Sequence, residues 1–360
     1  MSLKPTYRAL RVAEVRRETD EAVSILFELP EELAEDYQFA PGQYLTLRTQ
    51  LGGKEVVRSY SVCTSPLEQQ LRVAVKALAG GAFSSFANET LEVGDELDVL
   101  PAAGTFTARF TRTQAHHYAA FAAGSGITPV MSLLKTALAV EPDSHFTLFY
   151  SSRTAEQTLF LEELAGLKNR YMARLETFYF LTMEENDIAL FNGRLDRAKC
   201  DEILATLIDP ATIERFFICG PEGMMLGVEQ ALLGRGVTAS RIMLERFVSA
   251  TSSAGLDDQT RARARDAAGR RIGVVLDGCK RTVPFDAEQG NILDSVRAAG
   301  VSAPYACKGG VCATCRAKLV TGSVEMRLNY GLTVEEVAQG YVLTCQSIPT
   351  SDDVVLSYDL

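Results

Sequence analysis

The stretch YAAFAAGSGITPVMSLLKTALAV, residues 118–140, decides how the middle of this chain folds. Tyr118–Ala123 is a short apolar run stopped by glycine, the length of a buried strand. Gly124-Ser125-Gly126 reads as a turn, and Pro129 suits a first helical turn, where its missing N–H costs nothing. A helical pattern then runs from Pro129 to Val140. The alternation continues downstream. Strands are predicted at Phe146–Tyr150, Leu175–Leu181, Phe216–Cys219 and Ile242–Phe247. Helices are predicted at Glu156–Lys168, near Asp196–Ile208 and at Pro221–Arg235. Residues 113–247 therefore read as a doubly wound parallel α/β domain.

Upstream, residues 1–112 change period. Alternating or β-branched runs at Tyr7–Arg16, Ala22–Glu28, Tyr44–Gln50, Glu55–Ser61, Gln70–Ala77 and Glu96–Leu100 predict six strands. Gly52-Gly53 between two of them is a hairpin signal, and the set suggests a small antiparallel β-barrel. Residues 248–270, VSATSSAGLDDQTRARARDAAGR, lack periodicity and read as a linker. Residues 271–360 restart with a hairpin at Asp277-Gly278, a helix near Ile292–Ala299, and strands at Lys318–Val320, Tyr341–Cys345 and Val354–Tyr358. The chain thus reads as multidomain: barrel, doubly wound sheet, linker and a small α+β domain.

At 360 residues, with 47 % apolar and 23 % charged residues, the composition is that of an ordinary globular chain. No apolar run approaches the ~18 residues that would span a bilayer. Met1–Leu10 show no apolar core or small-residue cleavage site, so no secretory signal is expected. A net charge of −10 makes nucleic acid a poor partner. The expectation is a cytoplasmic protein without nucleic-acid or membrane partners.

Four of the eight cysteines crowd the end of the chain, in PYACKGGVCATC and GYVLTC. Their spacing is Cys307-x4-Cys312-x2-Cys315-x29-Cys345. That is the plant-type spacing for a [2Fe–2S] cluster held by four thiolates. Three ligands close together need a loop that wraps the cluster. Gly309 and Gly310 supply unusual backbone angles, and small Ala306, Ala313 and Thr314 let N–H groups approach sulfur. A zinc site would more often show two close Cys/His pairs. A potential on the order of −400 mV is expected for such a cluster. Cys63, Cys200 and Cys279 read as ordinary small residues, and His116-His117 as an exposed loop.

Arg58-Ser59-Tyr60-Ser61 closes a predicted barrel strand and resembles the R-x-Y-[S/T] signature of the ferredoxin–NADP reductase family. Val75-Lys76-Ala77, then Gly80-Gly81-Ala82-Phe83-Ser84, is similar to that family's second flavin segment. Alone, the first run would be an ordinary strand. The resemblance implies that Arg58 pairs with flavin phosphate, Tyr60 lies against the isoalloxazine and Ser61 bonds near N5. It further implies a pyrophosphate site built from Val75, Lys76, Gly81, Ala82, Phe83 and Ser84. FAD is the implied flavin, with FMN as the alternative.

Ala123-Gly124-Ser125-Gly126-Ile127-Thr128-Pro129 matches the family's G-x-G-x-x-P variant of a dinucleotide loop. Gly124, Gly126, Thr128 and Pro129 are the candidate coenzyme residues. Cys219-Gly220-Pro221 ends a later strand at the same sheet edge, and in the family such a cysteine lies near the nicotinamide. Glu245 and Phe247, in LERF, are candidates for the acidic and aromatic groups approaching the flavin. Each has a blander reading: a small buried cysteine, and the last strand of a domain.

Arg153, after the second strand of this domain, is the candidate for a coenzyme 2′-phosphate. No acidic residue in Tyr150–Arg153 favours a free 2′-OH, whereas Thr182-Met183-Glu184 lacks the Ser-Arg pair of strong NADP binders. NADPH is expected over NADH. Arg194 reads equally as a nucleotide contact or as surface.

Taken together, residues 5–358 resemble the reductase components of multicomponent oxygenases, with a β-grasp-like ferredoxin domain at the C-terminus. The resemblance implies electron flow from NADPH through FAD and [2Fe–2S] to an oxygenase component. A diiron enzyme is the first expectation, and a Rieske-type oxygenase or a hybrid-cluster protein the alternative. Ser61, Cys219 and Glu245 are the implied catalytic residues. A swinging linker is a further expectation. A redox sensor is the reading from another class, which the paired flavin and nicotinamide runs oppose.

Overall fold

The computed structural model describes residues 6–247 and 258–359. They fall into two compact units, the first holding nearly all of the chain up to Phe247 and the second the described residues after it.

The first unit begins with six strands: β1 (Arg8–Thr19), β2 (Ala22–Phe27), β3 (Tyr44–Leu51), β4 (Lys54–Ser61), β5 (Leu71–Lys76) and β6 (Glu96–Ala103). Their order is β4-β3-β6-β1-β2-β5. A Val62–Val73 bridge joins the two ends and closes the antiparallel sheet into a barrel. Alternate residues point inward: Leu10 and Val12, Val23 and Ile25, Leu45 and Leu47, Val73 and Val75, Leu97 and Val99 form its core. Gly52 and Gly53 both take positive φ, +57° and +74°, as a type I′ hairpin requires. Helix α1 (Ala82–Glu89) follows the Gly80-Gly81 turn and buries Phe83 and Ala87 against the barrel.

The sheet that follows is parallel throughout: β7 (His117–Ala123), β8 (His145–Ser152), β9 (Leu175–Leu181), β10 (Arg215–Cys219) and β11 (Ile242–Glu245). Its order is β11-β10-β7-β8-β9, the doubly wound order, with the switch point between β7 and β10. The helices are α2 (Ile127–Val140), α3 (Leu161–Arg170), α4 (Arg197–Thr206) and α5 (Glu222–Gly234). Period-two alternation divides the strands between two cores. Tyr118, Ala120, Phe146, Leu148 and Tyr150 face α2 and α3. Ala119, Phe121, Phe149, Ile218 and Val228 fill the other face, together with Met224 and Met225.

Helix α2 is buried almost all round, as a helix packed between two layers must be. One side meets the sheet. The other meets the barrel, where Ser132 Oγ donates to Thr64 O at 2.6 Å and Lys135 pairs with Glu68 at 3.0 Å.

The second unit holds α6 (Asp258–Asp266), β12 (Arg271–Leu276), β13 (Cys279–Pro284), α7 (Ile292–Ala298), β14 (Arg316–Thr321), β15 (Val324–Met326), α8 (Val334–Ala338), β16 (Tyr341–Leu343), β17 (Ser347–Pro349) and β18 (Asp353–Ser357). The main sheet runs β13-β12-β18-β14-β16, with β12 and β18 parallel, a mixed sheet packed on α7. Strands β15 and β17 form a separate ribbon.

Four expectations change. Residues 258–270 are not linker. They contain α6, whose Thr260 and Ala264 are buried, and Ala264 and Ala267 enter the second unit's core. Two small residues on one face suffice to bury a helix whose other face is arginine-rich, which a hydropathy pattern does not register. The other part of the expected linker, 248–257, lies outside the described residues. The helix expected from Glu156 starts at Leu161, because Phe160 is left-handed at φ +59° and Thr154 and Thr158 bond locally to the loop backbone. The last strand of the parallel sheet stops at Glu245. His116 and His117 are half-buried at the start of β7, bonded to Tyr118 Oη (3.1 Å) and Thr147 Oγ1 (2.8 Å).

Candidate functional site

At the switch point, the loop after β7 and the end of β10 interlock. Gly124–Gly126 form one tight turn before α2. Gly124 is left-handed at φ +53°, with open space where a Cβ would stand. Gly126 is needed for the opposite reason: a Cβ there would lie 2.2 Å from the carbonyl oxygen of Cys219. Gly220 is also closely packed, its Cβ position 2.7 Å from Met224 Cε and 3.1 Å from Ala123 Cβ. Thr128 Oγ1 donates to Ser125 O at 2.9 Å, and Pro129 stands in the first turn of α2. Tyr150, fully buried on β8, donates its hydroxyl to Gly124 O at 3.0 Å and pins the turn from beneath. Its side chain comes from the next strand, so no local motif announces it. The result is a helix N-terminus with approachable backbone, suited to a dinucleotide phosphate.

Cys219 and Glu245 face each other in register across β10 and β11. Cys219 is fully buried and Glu245 nearly so. Burial, and then the Glu245 carboxylate, push the Cys219 thiol well above its ordinary range, so it stays neutral. Pro221 precedes α5, while Phe247 is exposed beyond the strand.

On the barrel, Ser61 ends β4 and is buried, and its Oγ has no hydrogen-bond partner. A buried hydroxyl without a partner is costly unless a ligand completes it. Beside it the Tyr60 ring lies 5.3 Å from that of Phe83, the two tilted by 35°. A flat group with a hydrogen-bonding edge, such as a flavin, fits this arrangement. Arg58 donates to Val57 O at 2.7 Å. Ser84 uses its hydroxyl on the turn itself, accepting from Leu78 N at 3.1 Å and donating to Gly81 O at 3.0 Å. A Cβ at Gly81 would lie 2.4 Å from that hydroxyl, which explains the glycine. The segment Val75–Ser84 is therefore a shaped backbone turn: Val75 is core, and Lys76 pairs with Glu21.

The loops after β8 and β9, opposing arguments in the sequence, are one hydrogen-bonded structure. Thr182 N donates to Ser152 O, Met183 N to Arg153 O, and Ala155 N to Glu184 Oε1. Arg153 itself is paired with Glu21, from the β1–β2 turn. Tyr150–Arg153 contain no acidic residue of their own; the fold brings two to this loop, Glu184 and Glu21.

In the second unit the four thiols divide two and two. Cys307 pairs with Cys312, and Cys315 with Cys345. Among the described residues, no three His, Cys, Asp or Glu side chains gather tightly enough to hold a single ion. Two thiols per iron is the division a [2Fe–2S] cluster needs. The Cys312 hydrogen bond and backbone N–H groups hold the Cys307 thiol below its ordinary range. Gly309 N and Cys312 N each point at Cys307 Sγ at 3.3 Å. Gly310 is left-handed, but Gly309 is not; the other left-handed positions of this loop are Lys308 and Ala313. Gln346, next to the fourth ligand, donates Nε2 to Lys308 O at 2.7 Å and lies 3.6 Å from Cys345 Sγ. These donors fit a negatively charged sulfur cluster.

Barrel, doubly wound domain and two-by-two thiol loop together define a flavin-dependent, nicotinamide-coupled iron–sulfur reductase. Family models agree: an oxidoreductase FAD-binding domain over residues 9–108, an oxidoreductase NAD-binding domain over 121–230, and a 2Fe-2S iron-sulfur cluster binding domain over 274–350. The chain is 41 % identical over 354 residues to one of the subunits of 1,2-phenylacetyl-CoA epoxidase from Escherichia coli K12, covering 98 % of each chain. It is 35 % identical to the ferredoxin reductase component of 3-ketosteroid-9-alpha-monooxygenase from Mycobacterium tuberculosis, covering 97 % of this chain and 95 % of that one. The chain belongs to the family of reductase components of multicomponent oxygenases. Phthalate dioxygenase reductase shares the fold over 98 % of both chains, with a TM-score of 0.60 at 20 % identity. An intact type IV self-sufficient cytochrome P450 monooxygenase matches 97 % of this chain and 41 % of its own length, with a TM-score of 0.69 at 23 % identity. FAD, a nicotinamide coenzyme and a [2Fe–2S] cluster are the cofactors of this reductase. Among the described residues no helix is long and apolar enough to cross a membrane.

Proposed function

We propose that this reductase supplies electrons from NADPH to a diiron oxygenase acting on phenylacetyl-CoA, in the breakdown of phenylacetate. The full-length 41 % identity to the epoxidase component carries the reading. The ketosteroid monooxygenase reductases, at 35 % identity, support a Rieske-type client as the second reading. In either case bound FAD would supply hydride acceptance and one-electron release, and the cluster held by the four cysteines would supply one-electron transfer toward the partner.

The chain's own residues would position these groups. Ser61 offers the otherwise orphaned hydroxyl to the flavin edge, and Tyr60 lies along its face. Arg58 meets its phosphate, with the Gly81–Ser84 turn presenting backbone N–H groups. The turn at Gly124–Gly126 with Thr128 and Pro129 takes the coenzyme phosphates. Cys219, kept neutral, and Gly220-Pro221 border the nicotinamide, with Glu245 and Phe247 at the same edge. Arg153 reads the 2′-phosphate, the basis for choosing NADPH over NADH. Cys307, Cys312, Cys315 and Cys345 hold the cluster. Four reduced thiolates suit the cytoplasm.

Anaerobic titration with NADPH and then NADH, followed by visible absorbance and EPR, tests the core of this reading. Flavin bleaching with a rhombic cluster signal is expected, NADPH acting at lower concentration. Bleaching without a cluster signal, at intact iron content, would overturn the proposed exit. Turnover of phenylacetyl-CoA with the purified epoxidase components, against none with a ketosteroid oxygenase, separates the two clients.

A further inference from the structure

Glu21 belongs to no motif. It sits in the turn between β1 and β2, yet its carboxylate gathers three side chains. Arg153 Nη2 and Lys76 Nζ (3.5 Å) approach Oε2, and Gln157 Nε2 donates to Oε1 at 3.4 Å. The Glu21 carbonyl also accepts from Ala77 N at 2.7 Å. One barrel residue thus ties the end of β5 to the coenzyme-reading loop after β8. The cluster is reachable by ligand: the Arg153 side chain is 49 % exposed and that of Glu21 36 %. It is also incompletely satisfied, because the other amide atom of Gln157, Oε1, is buried without a partner.

We propose that Glu21 sets coenzyme selectivity by holding Arg153 in an internal ion pair that a 2′-phosphate has to displace. This rests on the reading of Arg153 as the 2′-phosphate partner. A carboxylate and a phosphate compete for the same guanidinium edge, and bringing both to it sets two anions against each other. Coenzyme without a 2′-phosphate leaves the Arg153–Glu21 pair intact and meets no such cost. Glu21 therefore weakens NADPH selectively and narrows its advantage over NADH, a specificity device that acts by repulsion.

The test is calorimetric titration of the flavin- and cluster-loaded protein with 2′,5′-ADP and with 5′-AMP, in wild type, Glu21→Gln, Glu21→Asp, Arg153→Gln and the Glu21→Gln/Arg153→Gln double variant. Glu21→Gln should tighten 2′,5′-ADP by about 2- to 5-fold, the range of an exposed ion pair, with 5′-AMP unchanged. Glu21→Asp, with a shorter reach, should fall between. In the double variant the gain should vanish. If Arg153→Gln does not weaken 2′,5′-ADP, the Arg153 reading fails and the Glu21 inference with it. If Arg153→Gln weakens it but Glu21→Gln leaves the ratio of the two affinities unchanged or lower, Glu21 is not the selector and Arg153 stands.

Discussion

The carbonyl oxygen of Cys219 occupies the space where Gly126 would carry a Cβ, 2.2 Å away. The glycine turn before α2 and the cysteine ending β10 are therefore one structure, built backbone against backbone at the sheet's switch point. Gly126→Ala should force the two loops apart, lowering stability by about 1–3 kcal/mol and weakening NAD(P)H binding. Gly124→Ala, which meets only conformational strain at φ +53°, should cost about 1–2 kcal/mol. Thermal unfolding and coenzyme titration of both variants check this.

Ser61 carries a buried hydroxyl that the protein leaves unpaired. Ser61→Ala should leave the flavin-free protein as stable as wild type or up to about 1–3 kcal/mol more stable, since an unsatisfied group is removed. With FAD bound, the same variant should slow flavin reduction by about tenfold, or ~1.4 kcal/mol of transition-state stabilisation. Stopped-flow absorbance measures the rate. Equal loss of stability with and without flavin would count against the assignment.

Cys345→Ser should abolish the cluster's EPR signal and lower the unfolding temperature of the second unit, leaving flavin reduction by NAD(P)H in place. Gln346→Leu is subtler. It removes an N–H placed 3.6 Å from Cys345 Sγ, which favours the more negative reduced cluster. The potential should fall, on the order of tens of mV. An unchanged or higher value in a redox titration would show that this donor does not tune the cluster.

Thiol chemistry separates the remaining cysteines. Burial pushes Cys63 and Cys200 up to about 12, and Cys219 also well above its ordinary range. A raised thiol pKa means less thiolate at any pH below it, so these three should resist iodoacetamide from pH 7 to about 9. Cys279, exposed at the tip of the β12–β13 hairpin, should be labelled first in cluster-loaded protein. Peptide mass mapping gives the answer.

Arg174 holds the C-terminal end of α2. Its guanidinium donates to Leu138 O (2.9 Å), Glu141 O (2.8 Å) and Ser144 O (3.2 Å), carbonyls at and beyond the C-terminus of α2. Arg174→Ala should destabilise the first unit by about 2–3 kcal/mol, as for other hydrogen bonds to a charged group. Calorimetry on the variant measures it.

The order of elements and the cofactor class were already written in the amino-acid sequence. Strand and helix periods, the I′ glycines at 52–53 and the Cys307–Cys315 spacing are local, and each follows from covalent geometry over a few residues. The six barrel strands and the five parallel strands were legible for that reason. Helix α6 was not, because two buried small residues on an arginine-rich helix carry almost no hydropathy signal. The short ribbon of β15 and β17 was hidden because its pairing joins residues far apart in the chain. At the site, folding settled which groups are free to act. Ser84 closes its own turn, Gly309 leaves the left-handed angles to its neighbours, and Tyr150 supports a glycine in the turn after the neighbouring strand. Above all, Glu21 reaches Arg153 across 132 positions. Spacing reveals ligands that share a loop; competition between an arginine and a distant carboxylate exists only after the chain has folded.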